Sequence, residues 1–523
     1  MLKKIYNEVT REWDTSVEEA LKSFIRLPAL SPDFDKKWEE NGVLLKALEE
    51  AKAWAEKQGI KGLRCEIIKD DGFTPCLFIE VDATSDKKFE RSVFFYGHLD
   101  KQPPNEGWDP DKSAWEPVIQ NGRLYGRGAV DDGYAFYTSL AAVKVLQTLE
   151  IPHPRCVGLF ETCEESSSRH YESYLKEAEQ KLGDIGLVIA LDSCCGDYDR
   201  LWVTSSLRGM LGGTIEVRTL NVGVHSGEAS GIVPESFMIV RRLLDRIEDS
   251  RTGEIIPKVF QTKISEEIHK QNVGVAESLG DRIFAAYPWH GKTEPLTKDA
   301  CEALLNRSWR PELTVTGVDG MPSVENAGNV MRPFTTVKIG MRLPPDVDAE
   351  KASAALEEII TAEPPFNADV KYVPTVASNG WSAKASAQWI SKAFEKASEA
   401  YWGNKPAYMG LGASIPLVKL FSEKWPHAQF MVSGALGPNS NAHGPNESLH
   451  IEYCKKQTAS VAYLISQYES GCENFATRLE AERFINANLE EEEPVAVWVE
   501  EVNGKKKYDL HFAEENGEIH IVD

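Results

Sequence analysis

Ser92-Val-Phe-Phe-Tyr-Gly-His-Leu-Asp100 is an apolar run that ends abruptly in polar side chains. A short continuous run of this kind reads as a strand buried on both faces. Three neighbours share the pattern: Cys76-Leu-Phe-Ile-Glu-Val81, Cys156-Val-Gly-Leu-Phe160 and Gly186-Leu-Val-Ile-Ala-Leu191. Amphipathic stretches from Gly133 to Leu149 and from Arg169 to Lys181 separate them and read as helices. Alternation of strands and helices predicts an α/β fold with a mostly parallel sheet.

Further along, the pattern changes. Thr214-Ile-Glu-Val-Arg218 and Thr335-Thr-Val-Lys-Ile339 alternate polar and apolar residues, as half-solvated strands do. With helical stretches from Pro234 to Arg246 and Asp348 to Thr361, they predict an inserted α+β domain. Helical periodicity returns from Ala383 to Tyr401 and from His450 to Tyr468, around the strand-like Gln429-Phe-Met-Val432, so the first domain is expected to resume. The tail differs again. Leu489-Glu-Glu-Glu-Glu-Pro494 is an acidic linker. Val495-Ala-Val-Trp-Val499, Lys507-Tyr-Asp-Leu-His-Phe512 and Glu518-Ile-His-Ile-Val522 are separated by Asn503-Gly504 and Asn516-Gly517 turns, which predicts a β meander. The expected division is 1–208 and 379–472 for one discontinuous domain, 209–378 for the insertion and 473–523 for linker and appendage.

A chain of 523 residues has room for this arrangement. Its 58 Lys and Arg stand against 81 Asp and Glu, a net charge of −23 that would repel nucleic acid and anionic membranes. No segment approaches the roughly 20 apolar residues of a membrane span. The N-terminus lacks the apolar core and cleavage site of a signal peptide, so a cytoplasmic location is expected. Nine cysteines without a CxxC pair read as free thiols. Gly126-Arg-Gly128 is not followed by a third spaced glycine, which argues against a dinucleotide fingerprint.

Chemistry-bearing residues cluster where the apolar runs stop. His98 and Asp100, Glu164-Glu165 and Asp192 each follow a strand-like run, at the sheet edge where α/β folds bind ligands. Asp131-Asp132 and the distant His443 complete the set. Taken singly, a histidine at a strand end is more often a hydrogen-bonded rim residue, and adjacent acids often open a helix. Together, two imidazoles and three carboxylates suit two divalent ions about 3.5–4 Å apart, with one carboxylate shared.

Five of these segments, in this order, resemble one family: Phe95-Tyr-Gly-His-Leu-Asp100, Gly126-Arg-Gly-Ala-Val-Asp-Asp132, Glu161-Thr-Cys-Glu-Glu-Ser166, Leu191-Asp192 and Asn441-Ala-His-Gly-Pro-Asn-Glu447. They are similar to the co-catalytic dizinc metallopeptidases that include carnosine and Cys-Gly dipeptidases, carboxypeptidase G2, aminoacylases and succinyl-diaminopimelate desuccinylases. The resemblance implies that His98 and Asp192 hold one metal, Glu165 and His443 the other, and Asp131 bridges them. It implies that Asp100 orients His98 and that Glu164 is the general base for an activated water. Two divalent ions are expected per subunit, zinc first, with manganese or cobalt also suited.

The family's insertion is a lid and dimerisation domain, which implies a homodimer. Asn221-Val-Gly-Val-His-Ser-Gly227 resembles the segment whose histidine, here His225, reaches a neighbouring subunit's site and donates to the oxyanion. Met341-Arg-Leu-Pro-Pro345 resembles the strand whose arginine, here Arg342, clamps a substrate carboxylate. Gly328-Asn-Val330 and Gly412-Ala-Ser-Ile-Pro416 resemble substrate loops, with Asn329 and Ser414 as polar contacts. The implied substrate is a dipeptide or similar small peptide. An N-acyl-amino acid, as for a deacylase or desuccinylase, is the alternative, and a non-catalytic binding member stands behind both. The chain departs from the dipeptidase pattern at Gly410-Leu-Gly-Ala-Ser414, where that branch has Arg-Glu-Gly-Gly-Ser.

Overall fold

Six strands make the central sheet of the computed structural model, which describes residues 1–84, 91–384, 386–471, 495–502 and 505–512. Their spatial order is Leu63–Ile68, Cys76–Val81, Cys156–Glu161, Ser92–His98, Ile185–Ala190 and Gln429–Val432. The last four run parallel. Cys76–Val81 is antiparallel to both its neighbours and, with Leu63–Ile68, forms an antiparallel margin. The continuous apolar runs explain this layout: Ser92–His98 and Ile185–Ala190 are buried at every residue, as central parallel strands covered on both faces must be. Leu63–Ile68 alternates in exposure, as a margin strand does, and has no continuous apolar run to announce it.

Helix Tyr134–Thr148 packs against this sheet and buries nearly its whole circumference, including Phe136, Leu140, Val143 and Leu146. Leu140 is fully buried, and truncating it to alanine would cost about 2–5 kcal/mol. Helices Leu2–Glu12, Gln388–Trp402 and Ile451–Gly471 join the same core, so sequence-distant segments share one interior. The stretch read as one helix from Arg169 to Lys181 is two, Tyr171–Glu177 and Glu179–Leu182, meeting at Ala178, whose ψ of −2° interrupts the winding.

A second, antiparallel sheet has the order Glu312–Asp319, Phe334–Leu343, Gly209–Arg218 and Asp369–Ser378. Helices Ser236–Leu244 and Ala349–Thr361 supply its separate core, where Leu243, Leu356 and Ile360 meet Ile215, Val217 and Ile339. On its edge strands Val315, Val318, Val373 and Val376 remain exposed. Helices Glu266–Leu279 and Ala300–Ser308 bury Val275, Leu279 and Leu304 in the larger core instead.

The tail contains an antiparallel hairpin, Val495–Val502 with Lys505–Phe512. The acidic linker, both Asn-Gly turns and the strand expected at Glu518 to Val522 lie outside the described residues. Among the described residues, no helix is long and apolar enough to cross a membrane, and the cysteines are unpaired.

Candidate active site

Parallel pairing gathers the strand ends on one rim. His98 ends its strand opposite Glu161, Glu164 and Glu165 follow in a single helical turn, and Asp192 lies two residues past Ala190. Gly97 permits the approach of the next segment: a Cβ there would lie 2.9 Å from Asp132 Oδ2. Asp131 and Asp132 thereby sit against the end of the His98 strand, just before helix Tyr134–Thr148.

His98 Nε2 lies 3.3 Å from Asp131 Oδ1, 3.8 Å from Asp192 Oδ2 and 3.9 Å from Glu164 Oε2. His443 Nε2 lies 2.9 Å from Asp131 Oδ2 and 3.3 Å from Glu165 Oε2. Asp131 thus turns one oxygen to each imidazole. Two donor sets of a kind that holds a metal ion result, His98 with Glu164 and Asp192, and Asp131 with Glu165 and His443. The sequence reading put Glu164 outside the ligands; here its carboxylate falls within the first donor set, 3.9 Å from His98 Nε2.

The electrostatics fit a cation. Burial, then repulsion from neighbouring carboxylates, pushes Glu164 and Glu165 above the usual carboxylate range, and burial takes Asp192 up to about 7. Asp131 overcomes its burial through the two imidazoles and stays low. Its hydrogen bond, then that of Glu165, holds His443 up at about 10. His98 Nε2 and Glu165 Oε1 are buried without a hydrogen-bond partner. Orphaned donor atoms of this kind are costly unless something binds them. Carboxylates and imidazoles together suit zinc, manganese or cobalt.

The surrounding polar groups fix this geometry. Asp100 Oδ1 is 3.4 Å from His98 Nδ1, and the Asp100 carboxylate also accepts the backbone N–H groups of Glu164 and Glu165, both at 3.1 Å. Gln102 donates to Glu165 Oε2 at 2.6 Å. Arg127 and Glu447, both buried, pair at 2.6 Å. Glu447 Oε1 accepts from the backbone of Gly128, Val130 and Asp131, while Arg127 Nη2 donates to Gly444 O at 2.8 Å. That pair ties the loop bearing Asp131 to the loop bearing His443. His443 itself takes φ 61°, a left-handed conformation that costs roughly 1–3 kcal/mol and needs such bracing. Sequence reasoning gave no role to Gln102, Arg127 or Glu447. The signal for the last two was their place inside the quoted motifs.

The expected substrate residues fall into two groups. Arg342 Nη1 donates to Ser414 Oγ at 3.0 Å, so these two meet. His225 and Asn329 meet each other: Val224–His225 pairs with Val330–Met331, and Ser226 N donates to Asn329 O at 2.9 Å. Both are exposed, and His225 Nδ1 accepts the Gly227 N–H at 3.1 Å. Among the described residues, no hydrogen bond or ion pair joins either of them to the metal-facing side chains of its own chain. Cys163 is buried beside Glu164 with its thiol pushed up to about 12 by burial, so it is an inert filler.

A parallel-sheet rim with two histidines and clustered carboxylates defines a metallohydrolase. The chain belongs to the peptidase family M20/M25/M40, whose pattern matches residues 94–467. It is 26% identical to the Beta-Ala-His dipeptidase of Rattus norvegicus over 69% of this chain and 73% of that one. It is 24% identical to the Cys-Gly metallodipeptidase of Saccharomyces cerevisiae over 74% of this chain and 81% of that one. Among solved structures, the S. cerevisiae dipeptidase Dug1p superposes with a TM-score of 0.70 at 20% identity, covering 90% of this chain and 99% of that one. Human carnosine dipeptidase 1 gives 0.69 at 20% identity, covering 90% and 99%.

Proposed function

We propose that the protein is a metal-dependent dipeptidase working through two divalent ions. The observation that carries this reading is the placement of Asp131 between His98 and His443, with Asp192 and Glu165 completing the two ends. His98 and Asp192 would hold one ion, Glu165 and His443 the other, and Asp131 both. When bound, the ions supply Lewis acidity to the scissile carbonyl and lower the pKa of water.

The chain's own groups do the rest. Glu164 takes the water's proton on its carboxylate and returns it to the leaving amine. Burial raises its affinity for that proton, which suits a group that must hold it between the two transfers. Asp100 keeps the His98 ring oriented while holding the Glu164 amide. Arg342, steadied by Ser414, binds the substrate carboxylate. His225, with Asn329 beside it, serves the oxyanion of a partner subunit, a reading that its exposure and, among the described residues, the absence of a hydrogen bond or ion pair to its own chain's ligands favour. Exposed valines on the lid sheet support a homodimer through that sheet. The proposed division keeps 1–208 and 379–472 as the catalytic unit and 209–378 as lid; the separate core of residues 211–260 and 313–372 supports it, while helices Glu266–Leu279 and Ala300–Ser308 of the insertion pack into the catalytic core. The preferred ion is zinc, and the compartment is the cytoplasm.

The test is a panel of dipeptides and N-acyl-amino acids offered to the zinc-loaded protein. Turnover of dipeptides that stops on chelation supports the reading. Turnover of N-acyl-amino acids alone overturns the substrate class.

A further inference from the structure

Three arginines converge on the loop Gly412 to Ser414, and among the described residues none of them forms an ion pair with a carboxylate. Arg208 follows the strand Trp202–Leu207. It is buried and donates from Nε to Gly412 O at 3.2 Å and from Nη1 to Arg310 O at 3.4 Å. Arg342 donates to Ser414 Oγ, and that hydroxyl donates onward to Arg208 O at 2.6 Å. Arg307, on helix Ala300–Ser308, packs its stem on the same loop: a Cβ added at Gly412 would lie 3.2 Å from Arg307 Cγ and 3.0 Å from Arg208 Nη2. The Arg307 head is weakly occupied. Nη2 meets Met409 Sδ at 3.3 Å, and Nε is buried with no hydrogen-bond partner.

The cluster adjoins the metal-facing rim. Met409 pairs in register with Thr204, Thr204 Oγ1 lies 2.7 Å from Ser193 Oγ, and Ser193 follows Asp192 in the chain. Arg307, on its helix, is therefore linked to Asp192 through the paired strands that carry Met409 and Thr204, and it packs against the loop that also carries Ser414. Residues Gly410-Leu-Gly-Ala413 bring no acid to face it. Glu312, the strand neighbour of Arg342, turns its carboxylate to the Thr314 hydroxyl at 2.8 Å. Cations crowd here enough that burial, then the charge of Arg342, holds Arg208 down to about 10. In a chain of net charge −23, guanidinium groups gathered without counter-ions are costly unless a ligand supplies the anion.

We propose that Arg307 is a specificity residue that binds a second carboxylate of the substrate, so that the preferred dipeptide carries an acidic side chain as well as its terminal carboxylate. The inference rests on the dipeptidase reading above. Arg342 takes one carboxylate and Arg307 the other; a planar fork with an unengaged Nε is suited to bidentate binding. An acid on the leaving amino acid and one on the acyl amino acid share this chemistry, and substrates distinguish them.

The experiment measures kcat/KM of the zinc-loaded protein for Ala-Ala, Ala-Glu and Glu-Ala, in the wild type, Arg307→Gln and Arg307→Lys. The wild type is expected to favour one acidic dipeptide over Ala-Ala, and the one favoured identifies the side. In Arg307→Gln that ratio should fall about 10- to 100-fold, the loss of one charge-assisted contact. Arg307→Lys, which keeps the charge without the fork, should fall between. Ala-Ala turnover with no preference for either acidic dipeptide overturns this inference alone, as does a preference that Arg307→Gln leaves unchanged. No hydrolysis of any of the three overturns the dipeptidase reading and this inference with it.

Discussion

Asp131 Oδ2 lies 2.9 Å from His443 Nε2 while its Oδ1 lies 3.3 Å from His98 Nε2, so a single carboxylate faces both imidazoles. Removing it strips both proposed ion sites of a shared ligand and leaves Glu165 and Asp192 opposed only by histidine. Asp131→Ala should retain little metal after dialysis and lose turnover by about 100-fold or more. His98→Ala should retain at most half. Elemental analysis beside a dipeptide assay checks both, and wild-type metal content in the two variants would remove the ligand assignment.

Glu164 makes a sharper case, because its carboxylate stands 3.9 Å from His98 Nε2, close enough to be taken for a ligand. As a general base it should be dispensable for metal and essential for turnover. Glu164→Gln is expected to lower kcat about 100- to 10,000-fold at unchanged metal content. Loss of one ion from this variant would reassign Glu164 as a ligand.

The pH response follows from His443, raised from 6.5 to about 10 by the Asp131 and Glu165 carboxylates. A folded-state pKa above the unfolded one stabilises the metal-free chain fully below pH 6.5, and that contribution is lost as pH rises through about 10. Metal binding needs the neutral imidazole, so affinity moves the other way and increases with pH over the same window. The gap in melting temperature between loaded and stripped protein should therefore widen on going from pH 6.5 to pH 10. Calorimetry across that range checks it; a constant gap would contradict it.

Arg127 and Glu447 form the brace between the Asp131 and His443 loops, paired at 2.6 Å with both side chains buried. Arg127→Met leaves Glu447 buried without its cation, which should cost about 3–5 kcal/mol of stability. Thermal unfolding of the metal-loaded variant measures this. Metal affinity should weaken along with stability, since the two loops lose their tie.

His225 gives a prediction that needs no structure of the dimer. If it serves the partner's site, His225→Ala and Glu164→Gln each inactivate the enzyme, yet their mixture after subunit exchange contains sites with a good base and a good histidine. Activity should return to about a quarter of the wild type if exchange is random. No recovery, in a mixture shown to have exchanged, places His225 in its own chain's site or outside catalysis.

Much of this was legible in the sequence because buried parallel strands must be apolar throughout. Ser92–His98 and Ile185–Ala190 therefore stood out, and the polar residues ending them pointed to the rim. Leu63–Ile68 was missed because a margin strand has one solvated face and no unbroken run. His98, Asp100, the Glu164-Glu165 pair and Asp192 were readable as rim residues from position, whereas the division of roles among them, like the parts expected of Asp131 and His443, rested on the motif order and the resemblance. The brace of Arg127 and Glu447 was not, since a buried ion pair between distant residues leaves no local periodicity. Arg307 was invisible for the same reason: a lone arginine on an amphipathic helix looks like surface until its neighbours are known.

Metal reconstitution bears most directly on the central assignment. The protein is stripped with a chelator, zinc is returned in measured equivalents, and dipeptide hydrolysis is followed at each step. The expected result is no hydrolysis in the stripped protein and activity that saturates at two equivalents per chain. Hydrolysis that survives stripping, or that saturates at one equivalent, would contradict the two-metal site built around Asp131.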